Sequence, residues 1–249
     1  IIEDLILDCN LPTRTGSNTS GEHCLKIRSG SDLLFNNVTA KNALLDGFYL
    51  DTLTPGTASS IPTDITFKDC TADACYRNGL SAIQSLRLKV SGGSYKNSSG
   101  NLPEAGIDLE DDGTAGNTDT IIENCSFLDN DGTGIQASGI FGCDNVTIQN
   151  CYFKGNGEEA LAIGSCRGVN LFNLNIGEHT TSSRGVIDFL STGITDNVAI
   201  KNVTFRDCIA GEDTSKACIY MHSNNTGHVD IDGISIYDSG GTGLDIQCP

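Results

Sequence analysis

Between Glu104 and Gly113 the chain reads EAGIDLEDDG, which places Asp108, Glu110 and Asp111 within four positions. Carboxylates gathered this tightly suit two chemistries. Two of them can divide acid and base work at a glycosidic bond, because like charges held together push one pKa up and so supply the acid. Alternatively Asp108, Glu110 and Asp111, with Asp112 beside them, could ring a Ca²⁺ through oxygen ligands. A solvated acidic face is the plain alternative. Which reading holds depends on the elements that present these side chains.

Those elements are repeats. Gly106-Ile107-Asp108-Leu109-Glu110 aligns with eight other segments: those starting at Cys24, Gly47, Gly79, Gly134, Ala160, Gly185, Ala217 and Gly243, spaced 23 to 32 residues apart. A second column runs in phase with the first. Asn37, Asp69, Asn124, Asn150, Asn173 and Asn202 share one position, and Val38, Cys70, Cys125, Cys151, Leu174 and Val203 share the next. Self-similarity at this period signals a stacked repeat in which each unit buries its apolar face on its neighbours. Short alternating strands, 29 Gly and few aromatics favour β structure. The expectation is an all-β, right-handed, single-stranded parallel β-helix of about nine coils. A buried Asn ladder would bond the turns, and residues 1–249 would form a single domain. The opening strand-like run, IIEDLILDCN, is what a piece cut from a longer chain would show, with N-terminal coils or a cap upstream.

Alternation within each strand then sorts the side chains. With Ile107 and Leu109 inward, Asp108 and Glu110 face outward. The same count exposes Lys26 and Arg28, Tyr49 and Asp51, Ser81 and Ile83, and Gln136 and Ser138. Beyond these it exposes only Ala162, Gly164, Ile187, Phe189, Ile219 and Met221. Polar residues thus crowd the first coils, and the apolar remainder reads as a contact face for another chain. Long connections after Asp51, before Gly106 and after Glu110 would wall a groove over coils two to five. Asp51 and the Asp108/Glu110 pair are two coils apart, about 9–10 Å at ordinary strand spacing. Asp51, Asp108 and Glu110 are therefore the candidate catalytic residues. Lys26, Arg28, Tyr49, Arg77 and Gln136 are the candidate substrate contacts, with Arg77 placed to bind an acidic sugar. Asp188 is expected to bond a loop, and His179, His222 and His228 to be structural.

Composition limits the partners. The formal charge is −17 and no basic stripe exists, which disfavours nucleic acid. No apolar run is long enough to insert in a membrane. The 11 Cys follow the repeat rather than a metal or disulfide spacing, so Cys70, Cys125 and Cys151 read as small core residues, with Cys143 and Cys166 as a second pair. N-x-S/T sequons at Asn37, Asn124, Asn145 and Asn202 follow from the repeat, and three of them fall on the expected buried ladder.

The GIxI strands and the Asn column resemble the right-handed β-helix superfamily of pectate lyases, polysaccharide epimerases and phage tailspike depolymerases. RNGLSAI from Arg77 and EAGIDLEDD from Glu104 resemble a pair recurring in its bacterial and phage members. The Tyr-Gly-Phe-Asp-Pro-His signature of alginate epimerases does not occur. The resemblance implies an extracellular or virion-borne protein acting on a polysaccharide in a groove on the first-strand sheet, and for tailspike members a homotrimer. A glycoside hydrolase using Asp51 with Asp108 or Glu110 is the leading expectation, with no cofactor required. A lyase using Ca²⁺ with Arg77 or Lys26 is the second. A non-catalytic carbohydrate-binding or structural module of a tail fibre or adhesin is the rival from another class.

Overall fold

The computed structural model describes residues 1–10, 22–54, 60–111, 116–139, 142–179, 184–208, 215–225 and 227–247. It is an all-β parallel solenoid, and strands are the only extended elements among the described residues. One sheet has nine parallel strands: Leu25–Ile27, Phe48–Leu50, Leu80–Ala82, Ile107–Leu109, Ile135–Ala137, Leu161–Ile163, Gly185–Phe189, Ala217–Met221 and Thr242–Ile246. The rest of each coil belongs to a twelve-stranded sheet built partly from long strands such as Ser31–Lys41, Thr63–Asp73 and Asp196–Arg206.

The long strands turn a corner in mid-course, and the corner explains the Asn column. Asn37, Asp69, Asn124, Asn150, Asn173 and Asn202 all have φ between 52° and 57°. Asn and Asp tolerate this left-handed conformation better than most residues. The column is exposed rather than buried, a correction to the expected ladder. Links between its side chains run along the surface: Asn37 Nδ2 to Asp4 Oδ1 at 2.7 Å, Asn173 Nδ2 to Asn150 Oδ1 at 3.0 Å and Asn202 Nδ2 to Asn173 Oδ1 at 3.2 Å. The sequons at Asn37, Asn124 and Asn202 are consequently on the surface. The residue after each bend points inward, so Val38, Cys70, Cys125, Cys151, Leu174 and Val203 are buried.

A buried amide stack does exist, one corner away. Asn130 Nδ2 donates to Asn156 Oδ1 at 2.8 Å, and each amide also bonds a backbone carbonyl, of Tyr95 and Phe127 respectively. His179 closes the stack. Its Nε2 lies 3.3 Å from Asn156 Nδ2 and its Nδ1 lies 3.2 Å from the Glu158 carbonyl. Since Asn156 presents its N–H₂ group there, Nε2 accepts and Nδ1–H donates. Burial holds this imidazole neutral, with its pKa pushed down to about 4.

Inside, equivalent aromatics pile up along the axis. Phe35 stacks on Phe67 at 5.0 Å, and Phe127 on Phe153 at 4.9 Å. The described cysteines are all free thiols, and Cys143 and Cys166 face each other in register. Glycine opens the early nine-sheet strands because a side chain there would strike the next coil. A Cβ on Gly79 would lie 2.5 Å from the Gly106 carbonyl oxygen.

Register along the nine-stranded sheet fixes the outward ribbon. Lys26, Tyr49, Ser81, Asp108, Gln136 and Ala162 align, as expected. The row then continues through Asp188, Tyr220 and Asp245. Ile187, Phe189, Ile219 and Met221, expected on this face, are fully buried. In the coils that open at Gly185 and Ala217 the inward residue comes two positions after the opening Gly or Ala rather than one. A slip of one residue exchanges the two faces of a strand. The apolar contact ribbon therefore does not exist, and with it goes the surface on which a partner chain was expected. No helix among the described residues is long and apolar enough to cross a membrane.

Candidate functional site

The corner before Gly47 and Gly79 delivers the side chains that organise the ribbon. Asn78 N–H donates to Asp46 Oδ1 at 3.1 Å, and Asn78 Oδ1 accepts from the Ala105 N–H at 2.8 Å. This pins three successive coils together and leaves Asn78 Nδ2 free to reach Ser81 Oγ at 3.0 Å and Asp108 Oδ2 at 3.1 Å.

Arg77 stands at the centre. Its Nη2 donates to Glu110 Oε1 at 3.0 Å and lies 3.7 Å from Asp108 Oδ2, while Nη1 lies 3.6 Å from Asp46 Oδ2. One guanidinium thus serves three carboxylates from the two coils that flank its own; burial works to lower its pKa, but the Asp46 and Glu110 charges outweigh it and raise the already high value. His23 Nδ1 approaches Asp46 Oδ2 at 3.0 Å without the alignment of a hydrogen bond, so the contact is electrostatic.

Asp108 is 0% exposed, and its Oδ1 has no hydrogen-bond partner. Burial, reinforced by the Glu110 charge and opposed by Arg77, pushes its pKa up to about 8. The acid therefore keeps its proton near neutrality. That proton belongs on Oδ1, because Oδ2 accepts from Asn78. The expected outward carboxylate is in fact the floor beneath Arg77 and Glu110, closed to direct contact with a ligand.

The groups that meet solvent are Lys26, Tyr49, Asp51, Arg77 and Glu110. Asp51 and Glu110 have side chains 22% and 28% exposed. They occupy equivalent ends of their strands, for Asp51 N–H bonds the Ile27 carbonyl and Glu110 N–H bonds the Ala82 carbonyl. Ile83 lies between them in the same row. Two strand steps separate them, about 9.6 Å at ordinary spacing. Thr52 N–H holds Asp51 Oδ1 at 2.7 Å, and Lys26 Nζ lies 4.0 Å from Oδ2. Lys26 also sits 4.5 Å from the Tyr49 ring centre, and burial followed by the Arg28 charge lowers its pKa. Tyr49 stacks on His23 at 4.0 Å, so that ring face is not available to a sugar. Its hydroxyl pKa is pushed up to about 12, chiefly by burial. Arg28 is exposed at the first coil. Gln136 lies one strand beyond Asp108, its Nε2 bonded to Ser138 Oγ at 3.2 Å.

The Ca²⁺ expectation does not fit this arrangement. Arg77 already occupies the place between Asp46, Asp108 and Glu110, and Asp111 Oδ2 turns away to accept from Gly142 N–H at 3.1 Å. Among the described residues no three His, Cys, Asp or Glu side chains converge as a metal site. Asp112 lies outside the described residues, as do 55–59 and 112–115 of the expected wall loops.

Asp46, His23 and Asn78 were missed by sequence reasoning. The usable signal was the polar residue before each opening Gly, in Asp46-Gly47 and Asn78-Gly79. A cavity of about 440 Å³ also lies on the twelve-stranded sheet, lined in part by Asp64, Arg87, Asp119, Ile121 and Asn145. Its charges satisfy one another, Arg87 with Asp64 at 2.6 Å and Asn145 with Asp119 at 2.7 Å, so it gathers no reactive set.

Fold and register define a parallel β-helix protein. No protein-family model and no curated protein matches the chain, but solved structures do. The A-module of Azotobacter vinelandii mannuronan C-5 epimerase AlgE4 superposes with a TM-score of 0.72 at 16% identity, over 88% of this chain and 56% of that one. The Agl-KA catalytic domain gives 0.58 at 13% identity over 99% and 52%. The Streptococcus pneumoniae surface protein and adhesin PfbA gives 0.57 at 12% identity over 89% and 68%. The chain spans little more than half the length of the first two. At these identities the similarity is one of fold.

Proposed function

We propose that the chain acts on a polysaccharide lying across the outward ribbon between Lys26 and Gln136, outside the cell or on a virion, as a glycoside hydrolase. The observation that carries this reading is the exposed pair Asp51 and Glu110, on one face and two strands apart. Their backbones are about 9.6 Å apart, and the reach of the two side chains can bring the carboxyls into the roughly 6.5–9.5 Å of an inverting hydrolase, which leaves room for a water. In this reading Glu110, oriented by Arg77, activates the water, and Asp51 protonates the leaving oxygen. Asp108 is a positioning residue: its protonated carboxyl fixes Arg77 and Glu110 without adding a further negative charge. The fold similarity to a polysaccharide epimerase module supports carbohydrate chemistry on this face.

Lys26 supports a second reading. Its lowered pKa beside Tyr49 suits a base that removes a proton next to a carboxylate, as a lyase requires. Against it, Arg77 is engaged by three carboxylates and has little left with which to bind a uronate.

The test is a panel of neutral and acidic polysaccharides given to the wild type, Asp51→Asn and Glu110→Gln. New reducing ends without unsaturated product, reduced about 10²–10⁴-fold in both variants, are the expected result. Unsaturated product lost in Lys26→Ala would replace hydrolase with lyase. Binding without any product would make the chain a binding module, the role that the adhesin's fold also permits.

A further inference from the structure

The ribbon carries a second polar cluster that the candidate site does not use. Asp188 lies in the same outward row as Asp108, three strand steps further along through Gln136 and Ala162. That is about 14 Å at ordinary strand spacing. The carboxylate is 3% exposed; the backbone N–H groups of Gly185 and Arg184 hold it, yet its Oδ1 has no hydrogen-bond partner. A buried acceptor left unpaired costs stability, on the order of 1–3 kcal/mol, unless something else satisfies it. Arg184 is exposed beside it. Its Nη1 donates to Tyr220 Oη at 2.7 Å, and its guanidinium carbon lies 5.4 Å from the Tyr220 ring centre. Tyr220 is next to Asp188 in the row, and the His222 ring meets its edge at 4.9 Å and 83°. The floor between the two clusters is low, since Ala162 and Gly164 carry almost no side chain.

We propose that Asp188, Arg184 and Tyr220 form a distal binding site for a neutral, hydroxyl-rich sugar unit of the polysaccharide whose reacting bond lies at Asp51 and Glu110. This rests on the reading of the ribbon as a glycan groove. Arg184 is the exposed member and its guanidinium has donors to spare for the sugar's oxygens; the Asp188 oxygen and Tyr220, both closed to solvent in the free chain, line the wall behind it, and the unpaired oxygen is the acceptor that a sugar hydroxyl gains when Arg184 turns to the ligand. Charge sets the class of sugar. Arg77 faces the Asp46 and Glu110 carboxylates, Lys26 faces Asp51, and Arg184 feels both Asp188 and Asp245. On a chain of net charge −17, an acidic polymer would meet repulsion along most of the ribbon.

The experiment is calorimetric titration of the chain with cello-, manno- and galacto-oligosaccharides of graded length. Oligouronates serve as competitors, and turnover is followed in parallel. The expected result is that affinity for a neutral series rises once the oligosaccharide spans both clusters. Asp188→Asn and Arg184→Ala should remove that rise, weakening binding about tenfold or more, while leaving short ligands unaffected. Circular dichroism and melting confirm that both variants fold; Arg184 is exposed, so its truncation tests the idea even if Asp188→Asn does not fold. If wild type and variants bind and cleave long neutral ligands equally, the distal site is refuted and the hydrolase reading stands. If oligouronates bind more tightly, the neutral class is refuted. If the wild type neither binds nor cleaves any glycan, the groove reading fails and takes the distal site with it.

Discussion

Asp108→Asn should make the protein more stable, and more so as the pH rises. The folded carboxyl holds its proton up to about pH 8, whereas an unfolded Asp loses it near 3.8. Between those values the folded state binds one more proton than the unfolded chain. Stability from this group is therefore present at low pH and is lost as pH climbs from about 4 to 8, at most about 1.4 kcal/mol per unit. From pH 5 to 7 the cost reaches about 3 kcal/mol at the upper limit; relaxation around a buried site lowers it, so 1–2 kcal/mol is the working figure. Asparagine cannot ionise, keeps an oxygen for Asn78 and leaves Arg77 with Asp46 and Glu110. Urea unfolding of wild type and variant at pH 5, 6, 7 and 8 measures the difference directly, and other titrating groups cancel in it. The variant's advantage should widen steadily with pH. Parallel curves would show that Asp108 is already ionised in the fold and would refute the assignment of a protonated floor.

Gly79→Ala places a methyl group 2.5 Å from a backbone carbonyl of the next coil and should cost about 1–3 kcal/mol, read as a lower melting temperature. His179 is held neutral, so the unfolded chain binds the extra proton as pH falls from 6.5 through about 4. His179→Gln should flatten the loss of stability in that window, again read by urea unfolding at fixed pH steps.

The solenoid was legible because its repeat is written twice, once in the strand after each opening Gly and once at each bend. The bend was misread as a buried ladder because Asn suits both a left-handed corner and an amide stack; the spacing alone does not separate them. Alternation carried the outward ribbon correctly from Lys26 to Ala162. It failed at Asp188 and Tyr220 because those strands start one residue earlier relative to their inward side chains. Asp51, Glu110 and Arg77 could be picked out individually. The grip of Arg77 on Asp46, Asp108 and Glu110 could not, since those partners lie 31 or more residues away and Asp46 enters from a corner where alternation breaks down. The burial of Asp108 was hidden for the same reason: Asn78 and Arg77 cover it from the neighbouring coil.

One consequence follows from building a site on single residues contributed by successive coils. The gap between Asp51 and Glu110 is measured in whole rungs, with Ile83 as the rung between them. No point substitution on the ribbon can stretch or shrink it by a fraction of an ångström, apart from the reach of the side chains themselves. Excising the intervening coil would bring the two acids onto adjacent rungs, near the roughly 5 Å that goes with a covalent, configuration-retaining mechanism; adding a coil would carry them beyond any shared water. In this architecture stereochemical outcome is a digital property, counted in rungs.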